Sequence, residues 1–317
     1  MSVWRACVFA LLLPACAAAA HGADFDYRLQ PRALTTDTWV VEGATADFSP
    51  ANGGDIANSA FIVTGAGVVV IDTGPSRAYG EQLRAAIARI TAEPVVAVYN
   101  THHHPDHMLG NQAFADVPVY ALPGTRAAAD EVGATLAGNL YRLVGTAMRG
   151  TEAYPPSASV AAGESVLGRH RLRLLALRGH TAADLALFDV DTGTLFTGLV
   201  FNRRTPATPD ADPAAWRASL LELQALAPRW LVPAAGPPVA DAQAQAVLAH
   251  DLDYLDWLVG HFEAAAARGA DMAELLDAPL PERFADLALL RAEYRRSVSH
   301  LYPRIERAAL ARTRAPE

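Results

Sequence analysis

Apolar residues recur along the chain in short β-branched runs broken by glycine, and these runs predict strands at Trp39-Val40-Val41, Ala60 to Val63 and Val68 to Ile71. Thr64-Gly65-Ala66-Gly67 separates the last two, which read as a hairpin. From Ser76 to Ile90 the period changes to that of a helix, with Ser76 as its cap and Leu83, Ile87 and Ile90 on one face. An apolar strand, Pro94 to Tyr99, then delivers the chain to Asn100-Thr101-His102. A strand near Val117 to Ala121 and a helix from Gly124 to Met148 follow, closed by the loop signal Tyr154-Pro155-Pro156-Ser157.

Strands resume at Arg171 to Leu177, Asp184 to Val190 and Thr194 to Phe201, before a helix from Pro213 to Leu226 and a strand at Trp230 to Pro233. Two β-rich halves, each followed by helix, predict a four-layer α/β sandwich with two sheets face to face and helices outside. From Ala240 to Ala311 the pattern is almost wholly helical. No flexible linker precedes it, so residues 240–317 read as a helical extension packed on a domain spanning 24–239.

The first twenty residues stand apart. Arg5, an apolar run from Ala6 to Leu13 and the small residues Ala18-Ala19-Ala20 form a secretory signal pattern, implying export and cleavage near Ala20. The apolar run is too short for a helix spanning a bilayer core of about 30 Å, so no stable membrane span is expected. Lipid attachment at Cys16 is the competing reading, and Pro14 speaks against it. In a bacterial setting export places the protein in the periplasm.

Composition narrows the chemistry. A net charge of −8 without a basic run excludes a nucleic-acid footprint. The 317 residues include no lysine, which removes Schiff-base catalysis and the phosphate-binding lysine of a P-loop. Both cysteines, Cys7 and Cys16, fall in the export segment. A metal in the mature chain must therefore be held by histidine and carboxylate, which suits zinc.

The run Thr101-His102-His103-His104-Pro105-Asp106-His107 carries that chemistry. On an extended segment His102 and His104 point the same way while His103 faces elsewhere. A third imidazole fits at His180, which follows an apolar strand and a glycine that lets the backbone turn. Three neutral imidazoles and an open position make a catalytic zinc site, where the pKa of a bound water falls to about 7. Asp106 would orient that water or accept its proton. Asp72 and Asp184 are candidate partners that fix the ligand loop or an imidazole tautomer. His170, His250, His261 and His300 read as surface or packing residues.

His102-x-His104-x-Asp106-His107 resembles the signature of the metallo-β-lactamase superfamily. The resemblance extends over Ile71-Asp72-Thr73-Gly74, Gly179-His180-Thr181 and Leu195-Phe196-Thr197-Gly198. It implies the metallo-β-lactamase αββα sandwich, zinc-dependent hydrolysis, and Asp106 and His107 as ligands of a second metal. Asn52-Gly53-Gly54-Asp55-Ile56-Ala57-Asn58, Asn139-Leu140-Tyr141-Arg142 and Tyr294-Arg295-Arg296-Ser297 resemble the branch called quinoprotein relay system zinc metallohydrolases. That branch implies an exported protein associated with a quinoprotein dehydrogenase system.

The chain departs from the superfamily pattern at two points. Leu199 directly follows Gly198, where an Asp usually bridges the metals, and Pro233-Ala234-Ala235-Gly236 replaces the usual Pro-Gly-His-Gly turn. One tightly bound metal is therefore expected, with a weak or absent second site. The expected activity is hydrolysis of a small ester, thioester or related acyl substrate. The alternatives are a catalytically degenerate accessory protein that keeps one metal and, third, an antibiotic-degrading lactamase, which generally needs the second-site ligands missing here.

Overall fold

The computed structural model describes residues 25–314, so the export segment with Cys7 and Cys16 lies outside the described residues. A first sheet holds β1 (Arg32–Ala33), β2 (Thr38–Val41), β3 (Ser59–Val63), β4 (Val68–Ile71), β5 (Val95–Tyr99), β6 (Val119–Ala121) and β7 (Ala158–Ser159), side by side in chain order. The second sheet holds β8 (Gly163–Leu167), β9 (His170–Leu177), β10 (Asp184–Asp189), β11 (Thr194–Thr197), β12 (Trp230–Val232) and β13 (Val239–Ala240), again in sequence. Helices α1 (Arg77–Ile90), α2 (Pro105–Met108) and α3 (Pro123–Val144) belong to the first half, and α4 (Pro213–Ala225) to the second. Helices α5 (Ala242–Ala267), α6 (Met272–Leu276), α7 (Leu290–His300) and α8 (Tyr302–Arg314) complete the chain.

Alternation along the strands builds the layers. Val69 and Ile71 of β4 point inward to meet Leu185, Leu187 and Phe196 of the second sheet. Val68 and Val70 point outward onto Tyr79, Leu83 and Ile87 of α1. The outer face of the second sheet, with Ala186, Leu195 and Leu231, buries Trp216, Leu220 and Leu223 of α4. Helix, sheet, sheet and helix thus stack in the expected order. Tyr254, Phe262, Tyr294 and Tyr302 of the C-terminal helices lie in the same cluster as Trp216, so this region shares the core of the second sheet.

Several expected elements form as read. Residues 59–63 and 68–71 pair as an antiparallel hairpin, and the Ser76 hydroxyl caps α1 by accepting from the Tyr79 N–H. The strand expected over Thr194 to Phe201 instead stops at Thr197. Beyond it Leu199, Val200 and Phe201 stay buried while the regular ladder lapses, resuming only as an isolated parallel bridge between Phe201 and Ala235. The Phe201 N–H donates to the Asp251 carboxylate, and the Leu199 carbonyl accepts from the Trp216 indole. Strand β8 escaped the sequence pattern because its residues are mostly exposed and show no alternation. Among the described residues no helix is long and apolar enough to cross a membrane.

Candidate metal centre

The ligand run leaves the end of β5 and is clamped from β4. Asp72, with a positive φ of 56° just past that strand, accepts from the Thr101 N–H at 2.8 Å and the Thr101 hydroxyl at 2.7 Å. The same carboxylate pairs with His107 Nδ1 at 2.7 Å, so one side chain holds both ends of the run. Thr101 Oγ1 lies 2.9 Å from His102 Nδ1. That contact turns Nε2 of His102 toward the cluster, where it is buried without a hydrogen-bond partner.

Three imidazoles meet there. The ring centroids of His102, His104 and His180 are 4.6, 4.9 and 4.8 Å apart, and His104 Nδ1 lies 3.2 Å from His180 Nε2. One nitrogen from each falls within 4.8 Å of the others. His180 arrives on the turn expected at Gly179, whose φ is +124° and whose missing Cβ makes room for the Trp216 backbone. Asp184 fixes this turn by accepting from the N–H groups of His180 and Thr181 and from the Thr181 hydroxyl. Burial pushes the Asp184 carboxyl up to about 6, against the pull of the Thr181 hydrogen bonds.

The surroundings keep these imidazoles in the form that offers a lone pair. Burial, followed by the charge of neighbouring imidazoles, holds His102 and His180 well below the ordinary histidine value. Both are therefore neutral at physiological pH, the form that ligates metal. A buried ring nitrogen with no partner is costly unless something accepts its lone pair. The orphaned Nε2 of His102, facing two further imidazoles, fits a zinc ion.

Asp210 joins this centre unforeseen. Its Oδ2 lies 3.0 Å from His104 Nε2 and 3.8 Å from His103 Nε2, so His103 faces the cluster's carboxylate rim. The hydrogen bond with His104 leads the causes that hold Asp210 below the usual carboxylate range. His300, read from the sequence as a surface or packing residue, lines the same cavity as Asp210. His170 lies elsewhere, as a buried ion-pair member between Asp189 and Asp37.

Asp106 and His107 flank the cluster. Asp106 Oδ2 is 3.9 Å from His107 Nε2, and the His107 ring is 4.2 Å from that of His102. Burial pulls the His107 pKa down, but the Asp72 and Asp106 carboxylates outweigh it and leave the pKa raised. Asp55, of the Asn52 to Asn58 segment, is pushed up to about 7 by burial and by the charge of Asp106. Near the substituted turn, Ala234 and Ala235 are buried apolar packing, as is Leu199 after Gly198.

The cluster opens into a cavity of about 510 Å³. Phe48, Ile56, Leu136, Leu143 and Phe201 give it apolar walls, and Arg204, Glu293 and Arg296 supply charge. These charged residues come from the segment after β11 and from α7, so the C-terminal helices complete the pocket.

The model of the metallo-beta-lactamase superfamily matches residues 52–235. The chain belongs to this superfamily. Members of the metallo-beta-lactamase superfamily are metal-dependent hydrolases, and zinc is their usual metal. Residues 236–317, including α5 to α8, lie beyond the matched segment.

Solved structures agree on the metallo-beta-lactamase fold. A metallo-beta-lactamase from Pontibacter korlensis is 23% identical, with a TM-score of 0.58 over 72% of this chain and 99% of its own. FIM-1 from Pseudomonas aeruginosa, crystallised in a mono-zinc form, is 19% identical, with a TM-score of 0.56 over 71% of this chain and 95% of its own. A linear primary-alkylsulfatase from a Pseudomonas species is 23% identical over 276 residues, covering 74% of this chain. The chain spans about half of that relative, 52% of its length.

Proposed function

We propose that the protein is an exported hydrolase that uses one tightly held zinc to cleave an ester, thioester or related bond in a small molecule. The observation that carries this reading is the convergence of His102, His104 and His180 at the floor of an open, largely apolar cavity. When bound there, zinc supplies Lewis acidity and makes water available as a nucleophile near neutral pH. The chain's own residues do the rest. Asp106, on the cavity wall beside His107, receives the proton released from the attacking water. Asp72, Asp184 and Asp210 keep the imidazoles oriented.

A single metal is supported by the second site's residues. Among the described residues Asp106 and His107 are joined by no third ligand within the spacing that unites the first cluster. Leu199, Ala234 and Ala235 offer no ligand atoms. Placement in the periplasm beside a quinoprotein dehydrogenase system rests on the export segment and on the likeness of residues 52–58, 139–142 and 294–297 to that branch. The alkylsulfatase relative adds sulfate esters to the candidate substrates. The same apolar substitutions favour a second reading, an accessory protein that retains one metal without turnover.

Zinc content per chain, measured alongside turnover of nitrophenyl ester, thioester, lactam and alkyl sulfate probes, tests the proposal. One zinc, turnover of at least one probe and its loss in His104→Ala are expected. Turnover unchanged in His104→Ala overturns the metal mechanism. Zinc bound without turnover of any probe favours the accessory reading.

A further inference from the structure

Arg204 is a guanidinium with little to hold. It is 5% exposed, yet it lines the cavity that His102, Asp106 and His107 also line. Its Nη1 donates to the Ile56 carbonyl at 3.3 Å, and its Nε is buried without a partner. The Glu293 carboxylate stands off at 4.0 Å from Nη2. Glu293 is already engaged by Arg296 at 2.6 Å, and Arg296 also contacts Asp47. Arg296, Glu293 and Asp47 thus satisfy one another. Arg204 is left with five N–H donors and one ordinary acceptor, in a setting where an unmet buried donor is costly.

Its surroundings specify what could complete it. Guanidinium donors in a fixed fork match an oxygen anion in two-point contact. Phe48, Leu136 and Leu143 give the same cavity apolar lining, and Leu143 is 52% exposed. Asp106 and Asp210 also face this cavity, so an anion is favoured only where it contacts Arg204 directly.

We propose that Arg204 anchors an anionic oxygen group of the substrate, so that the pocket takes an amphiphilic anion, an acidic head on an apolar chain. Its placement beside the histidine cluster rests on the hydrolytic reading above, whereas the binding itself does not. The acidic head is a carboxylate or an oxyanion of sulfur or phosphorus.

Calorimetric titration of the zinc-loaded protein with octane-1-sulfonate, nonanoate and octan-1-ol tests this. At least one anion should bind about tenfold or more tighter than the alcohol, the scale of a charge-assisted hydrogen bond. That preference should vanish in Arg204→Gln and return in part in Arg204→Lys, with zinc content and circular dichroism unchanged. Preference for nonanoate alone marks a carboxylate head, and preference for the sulfonate marks a sulfur or phosphorus oxyanion. A wild-type protein with no preference, or a preference that survives in Arg204→Gln, overturns the proposal. None of the ligands is hydrolysable. Failure to turn over ester probes therefore counts against the hydrolytic reading alone, and an Arg204-independent result against this one alone.

Discussion

His104 Nε2 lies 3.0 Å from the Asp210 carboxylate, and this contact leaves Nδ1 as the nitrogen that faces His180. A carboxylate behind a ligand imidazole fixes its tautomer and raises its basicity.

Asp210→Asn should therefore weaken zinc affinity by about 10- to 100-fold while leaving the fold intact. Competition against a chromogenic chelator reads this directly. Unchanged affinity would mean that the contact does not orient the ligand.

Gly198 packs so closely on the ligand run that a Cβ would collide with His102 Nδ1 and Thr101 Oγ1. Gly198→Ala should displace the imidazole, lowering zinc occupancy and costing about 1–3 kcal/mol of stability. Thermal denaturation with and without zinc measures both effects. A variant with wild-type zinc content and melting temperature would refute this packing account.

His170 links the two sheets, with Nδ1 2.8 Å from Asp189 and Nε2 3.5 Å from Asp37. The hydrogen bond with Asp189 raises its pKa, burial opposes this, and the charges of Asp189 and Asp37 add to the rise. A raised folded-state value means the stabilisation is fully present below the ordinary imidazole pKa and fades as pH rises through the raised one. His170→Gln should cost about 3 kcal/mol below the ordinary imidazole pKa of about 6.5 and markedly less once the pH has risen through the raised one. A penalty that does not vary with pH would show that the pairing is not ionic.

Asp184 accepts three hydrogen bonds within the turn that presents His180. Asp184→Ala should release that turn, so that zinc affinity falls with only a modest loss of stability, since the strand β10 it begins stays paired on both sides. Parallel chelator competition and melting measurements separate the two effects. A large stability loss with unchanged zinc affinity would assign Asp184 a purely structural role.

The site's core was legible because its signals are local. Four histidines and an aspartate stand within six residues after a strand, and His180 follows a strand and a glycine. The layered fold was legible from β-branched runs and helical spacing. Asp210 was not, since it lies 106 residues from the imidazole it holds, in a Pro-rich loop without a distinguishing pattern. Arg204 looked like one of many arginines, and only tertiary burial sets it apart. His300 sits at the end of α7 and reaches the cavity solely because α7 packs against the second half of the domain.

Zinc content of His102→Ala, His104→Ala and His180→Ala beside the wild type tests the metal centre most directly, with circular dichroism confirming that each variant is folded. The account predicts one equivalent of zinc in the wild type and a marked loss in all three variants, including the one whose residue comes from a distant loop. Full zinc occupancy in folded His180→Ala would contradict it.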